Sequence, residues 1–124
     1  MSKILVLDNG SDLCKAGWAP QLVYNVIPNY AIHFTNTDKT YIADECHKVD
    51  GLSSLQYDRP SLDGNILDWD LQKQIWDHVF MKPEIKADPE DTTLVFLESP
   101  MFSQVCILII FQHHFQFLEL NYFV

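Results

Sequence analysis

Four apolar residues in a row, Ile4-Leu5-Val6-Leu7, run directly into Asp8-Asn9-Gly10-Ser11, and residues 13–18 return with small and apolar side chains. A continuous apolar run of this length, stopped by turn residues, predicts a buried strand. The return predicts a hairpin with the polar turn at its tip. A sheet built on such strands needs an apolar cover, and the sequence supplies one. Trp69–Met81 reads as an amphipathic helix, with Asp68 as N-cap, Asp70 in the first turn and Pro83 closing the segment. Leu71, Ile75 and Val79 recur at four-residue spacing with Trp76 and Phe80 beside them, while Gln72, Lys73, Gln74 and Asp77 are assigned to the outer side. A second apolar strand follows at residues 93–97. Hairpin, helix and strand in that order predict an α/β layer.

The rest of the chain reads less sharply. Residues 23–27 are a third strand closed by Pro28-Asn29. Residues 30–50 are polar and weakly periodic, with one short strand at 41–43. Residues 51–64 read as loop, broken by Pro60 and Gly64. At 124 residues the chain is one domain at most.

Charge removes some function classes. Lys and Arg number 8 against 17 Asp and Glu, a net charge of −9, and the basic residues are scattered, so no nucleic-acid surface is expected. The apolar run at 105–111 is too short for a membrane span and lacks basic anchors. Cys14, Cys46 and Cys106 are odd in number and without CxxC spacing, which points to free thiols in a reducing compartment. Cys46-His47 has no second ligand pair nearby and is not taken as a metal site. Asn9-Gly10-Ser11 matches a glycosylation sequon, but residues 1–7 carry no secretory core.

Chemistry concentrates in residues 8–17. At a polar tip, Gly10 lets backbone approach an anion and successive N–H groups form a concave nest. Ser11 adds a hydroxyl, Lys15 a point charge, and Asp8 a carboxylate able to hold magnesium through water. Taken alone, the same residues fit a plain type I′ turn that binds nothing.

The surrounding sequence bears on that choice. Residues 5–11 followed by Lys15-Ala16-Gly17 resemble the first phosphate loop of the actin superfamily, and further matches follow in order: Val26-Ile27-Pro28-Asn29, Tyr41-Ile42-Ala43-Asp44-Glu45, Asp68-Trp69-Asp70 with residues 75–80, and Leu97-Glu98-Ser99-Pro100. The resemblance implies an α/β, partial actin-like ATPase fold: the first half of subdomain 1 plus a short subdomain 2, the latter over residues 30–62. It implies Asp8, Asn9, Gly10, Ser11 and Lys15 as nucleotide-contacting residues, with ATP or ADP and magnesium as cofactors and Asp8 as a water-mediated metal contact.

Only twelve residues separate Pro28 from Tyr41, fewer than in conventional actin, where this stretch carries a filament contact. That shortening, with residues 55–60 and 64–77, resembles the actin-related branch whose members are nuclear, non-filament-forming subunits of SWR-type chromatin remodellers, which exchange a histone variant into nucleosomes. Remodeller subunits, with histones among them, are the implied partners, and self-polymerisation is not expected. Rival readings are a conventional actin-like cytoskeletal ATP-binding protein and a small binding module with no nucleotide.

Two departures qualify the family pattern. Asp12 stands where actins commonly have glycine. Two like charges about 4 Å apart at an effective dielectric of about 20 repel by about 4 kcal/mol, so weak nucleotide affinity is expected. The second phosphate loop and catalytic glutamine of the fold lie later than these residues, so hydrolysis by this chain alone is not expected. Residues 101–124 diverge from the family's amphipathic helix: after Glu98 the last 26 residues hold one charged side chain, Glu119. The tail is expected as a buried strand or helix. With both lobes lacking their usual cover, exposed apolar surface and aggregation are expected as well.

Overall fold

The computed structural model describes residues 3–35, 37–49, 55–98 and 116–121. Strands β1 (Lys3–Asn9) and β2 (Leu13–Ala19) form the expected hairpin, in the register Leu5↔Trp18, Leu7↔Ala16 and Asn9↔Cys14. Strand β3 (Asn25–Pro28) continues the antiparallel meander and begins two residues later than the apolar pattern suggests. The reason lies at Gly17, where a Cβ would stand 2.9 Å from the Val23 carbonyl. The chain at 23–24 folds down over Gly17, leaving Val23 and Tyr24 exposed, before pairing begins.

Residues 30–66 hold more strand than the sequence pattern announces. Strands β4 (Ala31–Phe34), β5 (Thr40–Ile42) and β6 (Leu55–Asp58) make a small antiparallel sheet in the order β5-β4-β6. A 3₁₀ helix, Ala43–Lys48, follows β5 and takes over Ala43, which has φ 56°. Strands β7 (Ser61–Leu62) and β8 (Asn65–Ile66) pair across Asp63 and Gly64, both at positive φ (52° and 83°). That is the dihedral signature of a type I′ hairpin, for which Asp-Gly is a favoured pair. The stretch expected as loop, residues 51–64, therefore contains two short strands, and a third begins directly after it.

Helix α1 (Trp69–Met81) has the predicted bounds. The Asp68 carboxylate accepts the Leu71 N–H at 3.1 Å, a cap whose loss typically costs about 1 kcal/mol. Beyond Met81, the Ile85 and Lys86 N–H groups both donate to the Lys82 carbonyl at 2.8 Å, and this extra turn seats Ile85 in the core. Trp18 fastens it by donating its indole N–H to the Ile85 carbonyl at 3.1 Å.

Strand β9 (Thr92–Glu98) runs parallel to β1, with Leu5↔Leu94 and Leu7↔Phe96. Strand β10 (Gln116–Asn121) runs parallel to β9, giving the five-stranded order β10-β9-β1-β2-β3. The tail thus returns to the sheet at 116–121; the apolar run at 105–111 lies outside the described residues. One face of the sheet presents Leu5, Leu7, Cys14, Ala16 and Phe96, each no more than 1% exposed, to Ile75, Trp76 and Val79 of α1. Full burial of one such large apolar side chain contributes about 2 kcal/mol. The mixed sheet with its helix is the α/β layer expected from the sequence. No helix among the described residues is long and apolar enough to cross a membrane.

Candidate functional site

Alternation along the β1–β2 hairpin divides its residues between two tasks. Leu5, Leu7, Cys14 and Ala16 face α1, so Val6, Asp8, Lys15 and Gly17 face the other way. There Asp8 stands opposite Lys15 in register, and both line a cleft of about 420 Å³ walled by the loop at 20–24. Lys15 is exposed, and no ion pair joins it to Asp8 among the described residues. An anion approaching this face meets an unpaired ammonium and, beside it, a carboxylate suited to a hydrated cation.

The tip differs from the type I′ turn considered for Asn9-Gly10. Asn9 belongs to β1, the Gly10 N–H donates to the Leu13 carbonyl at 3.1 Å, and the turn is centred on Ser11 and Asp12. None of these residues takes positive φ. Glycine is required at position 10 for a different reason: a Cβ would stand 2.6 Å from the Leu13 carbonyl oxygen. Ser11 and Asp12 form the tip itself and are exposed, with Gly10 leading into it.

Asn9 faces inward. Its carboxamide oxygen accepts from the Trp76 indole N–H (3.0 Å), the Cys14 thiol (3.1 Å) and Asn29 Nδ2 (3.3 Å), while its Nδ2 donates to Gln72 Oε1 (3.0 Å). Gln72 Nε2 then donates to Asn29 Oδ1 at 2.9 Å, and Asn29 Nδ2 donates to the Gly10 carbonyl at 2.7 Å. Three carboxamides close a ring beneath the turn. Asn29, Gln72 and Cys14 are fully buried, and the ring satisfies donors that would otherwise be costly there. Of the residues predicted for nucleotide contact, the Asn9 side chain is therefore spent on the interior, while Asp8, Gly10, Ser11 and Lys15 stay on the hairpin's tip and outer face.

Gln72 corrects the reading of α1, which had placed it on the outer side. Its neighbours one turn and two turns on, Trp76 and Phe80, are buried, so Gln72 lies on the apolar stripe. A carboxamide at such a position is the signal for a buried polar partner. Asn29 carried no comparable mark, since Pro28-Asn29 reads as an ordinary strand end.

Electrostatics also shift the weight of Asp12. Arg59 Nε lies 2.9 Å from Asp12 Oδ1, both side chains more than half exposed, so the charge counted against phosphate binding has a cationic partner. The repulsion of about 4 kcal/mol is an upper figure for this turn, whose Asp12 is exposed and paired with Arg59. Burial, reinforced by the Asp8 carboxylate, pushes the Cys14 thiol up to about 12, which makes it a structural hydrogen-bond donor and no nucleophile. Cys46 is buried with Sγ near the Tyr41 and Tyr30 carbonyls (3.4 and 3.7 Å), whereas His47 is exposed, so the pair diverges.

The donor set suits one end of a magnesium–phosphate group: backbone N–H at the tip, the Ser11 hydroxyl, the Lys15 ammonium, and Asp8 for a hydrated cation. No group of three or more metal-ligating side chains occurs among the described residues, so such a cation would rest on water and phosphate oxygens as much as on Asp8.

Comparison with known proteins places these features in a lineage. Residues 1–106 match the family described as Actin. Actin-related protein 6 of Neurospora crassa is 38% identical over 102 residues, covering 77% of this chain and 23% of its own length. The actin-like protein ARP6 of Cryptococcus neoformans is 31% identical over 105 residues, 81% of this chain and 20% of its own length. Actin-related protein 6 of Dictyostelium discoideum is 29% identical over 100 residues, 80% of this chain and 20% of its own length. The chain thus spans about a fifth to a quarter of the curated relatives it matches.

Proposed function

The chain belongs to the actin family, as a member similar to the actin-related protein 6 proteins, and on that premise we propose that it serves as a nuclear scaffold subunit of a SWR-type chromatin-remodelling complex. In this role it contacts other remodeller subunits and histones, and it does not polymerise. The observation that carries the reading is the 38% identity over 102 residues to a protein named actin-related protein 6. The short link between β4 and β5, residues 35–39, supports it, because this hairpin leaves little chain for a filament contact.

Mg-ATP or Mg-ADP is, in this reading, a retained ligand of the β1–β2 turn. Asp8, Gly10, Ser11 and Lys15 hold it. No turnover is assigned to these residues: one turn supplies donors on one side of a phosphate, and activating an attacking water needs groups preorganised around the phosphorus.

The test is histone-variant exchange on nucleosomes by nuclear extract depleted of the protein and then resupplied with its full-length form. Restored exchange supports the scaffold role; exchange indifferent to depletion removes it. A sedimentation assay addresses the rival, since salt-induced pelleting of the full-length protein would make it a filament-forming actin.

A further inference from the structure

The ring of carboxamides beneath the hairpin does more than fill space. Asn29 reaches the turn twice, through its side chain to the Gly10 carbonyl (2.7 Å) and through its backbone N–H to the Asp12 carbonyl (2.9 Å). In a planar trans peptide, the carbonyl and the following N–H point in opposite directions. With the Gly10 and Asp12 carbonyls drawn to Asn29, the N–H groups of Ser11 and Leu13 face away from it. Neither donates to a turn or loop carbonyl among the described residues, and in the β2–β3 ladder the bond from the Asn29 N–H to the Asp12 carbonyl leaves Leu13 and Pro28 facing each other as a pair without mutual bonds.

Asn29 itself has little freedom. It is fully buried, its Oδ1 accepts from Gln72 at 2.9 Å, and Gln72 is anchored on α1 and bonded to Asn9. We propose that Asn29, held by Gln72, is the positioning residue of this turn: it fixes the direction of two peptide planes and so presents the Ser11 and Leu13 N–H groups as a ready pair of donors for a phosphate. The proposal rests on the reading of the turn as a nucleotide site, and it assigns the preorganisation to residues that never touch the ligand. Through Gln72 and Trp76, helix α1 becomes the support on which the turn's shape depends.

Amide hydrogen exchange on the 124-residue chain tests this directly. Asn29→Ala is expected to raise exchange at Gly10 at least tenfold while Ile75 in α1 and Phe96 in β9 keep their protection. Gln72→Met, of similar volume, keeps Asn29 but removes its support, and is expected to raise Gly10 exchange several-fold. It serves as the deciding variant should Asn29→Ala not fold. Unchanged exchange at Gly10, or an equal loss at Gly10, Ile75 and Phe96, overturns the proposal, because a purely structural role would loosen the fold as a whole.

A parallel titration with Mg-ATP, followed at the Ser11 and Leu13 amides, separates the two ideas. In the unmodified chain these amides are expected to shift, and in Asn29→Ala the affinity is expected to fall at least tenfold. Equal affinity in the two proteins overturns the positioning role. No shift in the unmodified chain overturns the nucleotide reading instead, and the exchange data then decide the positioning role alone.

Discussion

The β1–β2 turn and the small sheet are secured by opposite means. Under the turn, Asn9, Asn29, Gln72 and Trp76 bond to one another where water hardly reaches. Toward the small sheet, the links include ion pairs in or near solvent: Arg59 to Asp12 at 2.9 Å, and Lys82 to Asp44 at 3.0 Å. The physical consequences differ. A buried polar group that loses its partner costs about 1–3 kcal/mol, whereas an exposed ion pair contributes about 0–1 kcal/mol and weakens with salt. The ring and the ion pairs are therefore expected to answer differently to substitution and to salt.

The sharpest way to break that contrast is Trp76→Ala. Trp76 is 4% exposed, bonds Asn9, and packs edge-on against Phe96 and Trp69 at centroid distances of 5.8 and 6.3 Å. Its removal should destabilise the chain by about 3–5 kcal/mol, read as a fall in the urea midpoint. Next comes Gln72→Leu, which leaves the Asn9 amide and the Asn29 carbonyl without their present partner. A loss of about 1–3 kcal/mol is expected, and a neutral result would mean that the ring is dispensable.

Lys82→Ala probes the other region and should cost less than about 1 kcal/mol. Its pH dependence is specific. Partial burial works to raise Asp44, but the hydrogen bond and charge of Lys82 prevail and hold it below its ordinary 3.8. Lys82 is in turn lifted above its ordinary 10.5, mainly by the bond to Asp44. The Asp44 contribution is present above 3.8 and lost as pH falls through the depressed folded value. The Lys82 contribution is present below 10.5 and lost as pH rises through the elevated one. The stability difference between the unmodified chain and Lys82→Ala should thus be flat between those limits and shrink outside them. The smallest effect is expected from Arg59→Ala, about 0.5 kcal/mol or less in urea unfolding, because both partners stand largely in solvent.

Cys14 offers an internal reporter of the comparison. Its thiol, pushed up to about 12 by burial and the nearby Asp8 charge, should resist alkylation at pH 8 until the hairpin opens. The labelling rate should follow the stability of the ring, falling furthest behind in the folded chain and rising in Gln72→Leu, with Arg59→Ala indistinguishable from the unmodified protein.

What the sequence made legible follows the same division. The β1–β2 hairpin, α1 and β9 are continuous apolar or strongly periodic segments, and their bounds emerged within a residue or two. Strand β4 was hidden because His33 interrupts its apolar run; His33 Nδ1 lies 3.0 Å from Asp58 and Nε2 lies 2.7 Å from Gln56, contacts made only once β6 is alongside. Gly64 read as a breaker although Asp63-Gly64 is a hairpin signal in its own right, because strands of two residues leave no periodicity to flank it. At the site, Asp8, Gly10, Ser11 and Lys15 were adjacent in sequence and visible as a group. Asn29 and Gln72 act from 20 and 63 residues away from Asn9; the place of Gln72 on the apolar stripe of α1 marks it as wanting a buried polar partner, but local pattern names neither that partner nor Asn29.

The alternation along β1 and β2 also governs how this stretch can vary in length. Leu7 and Ala16 face the core while Asp8 and Lys15, their neighbours in sequence, face the cleft. Inserting or deleting one residue between positions 5 and 8 would exchange those faces, burying a carboxylate and exposing leucine in one step. The loops that join the strands carry no such parity, so a change of length there leaves the faces of β1 and β2 as they are. Gaps in an alignment of this chain with its relatives should therefore gather at those loops and spare the hairpin, whatever substitutions the hairpin itself accepts.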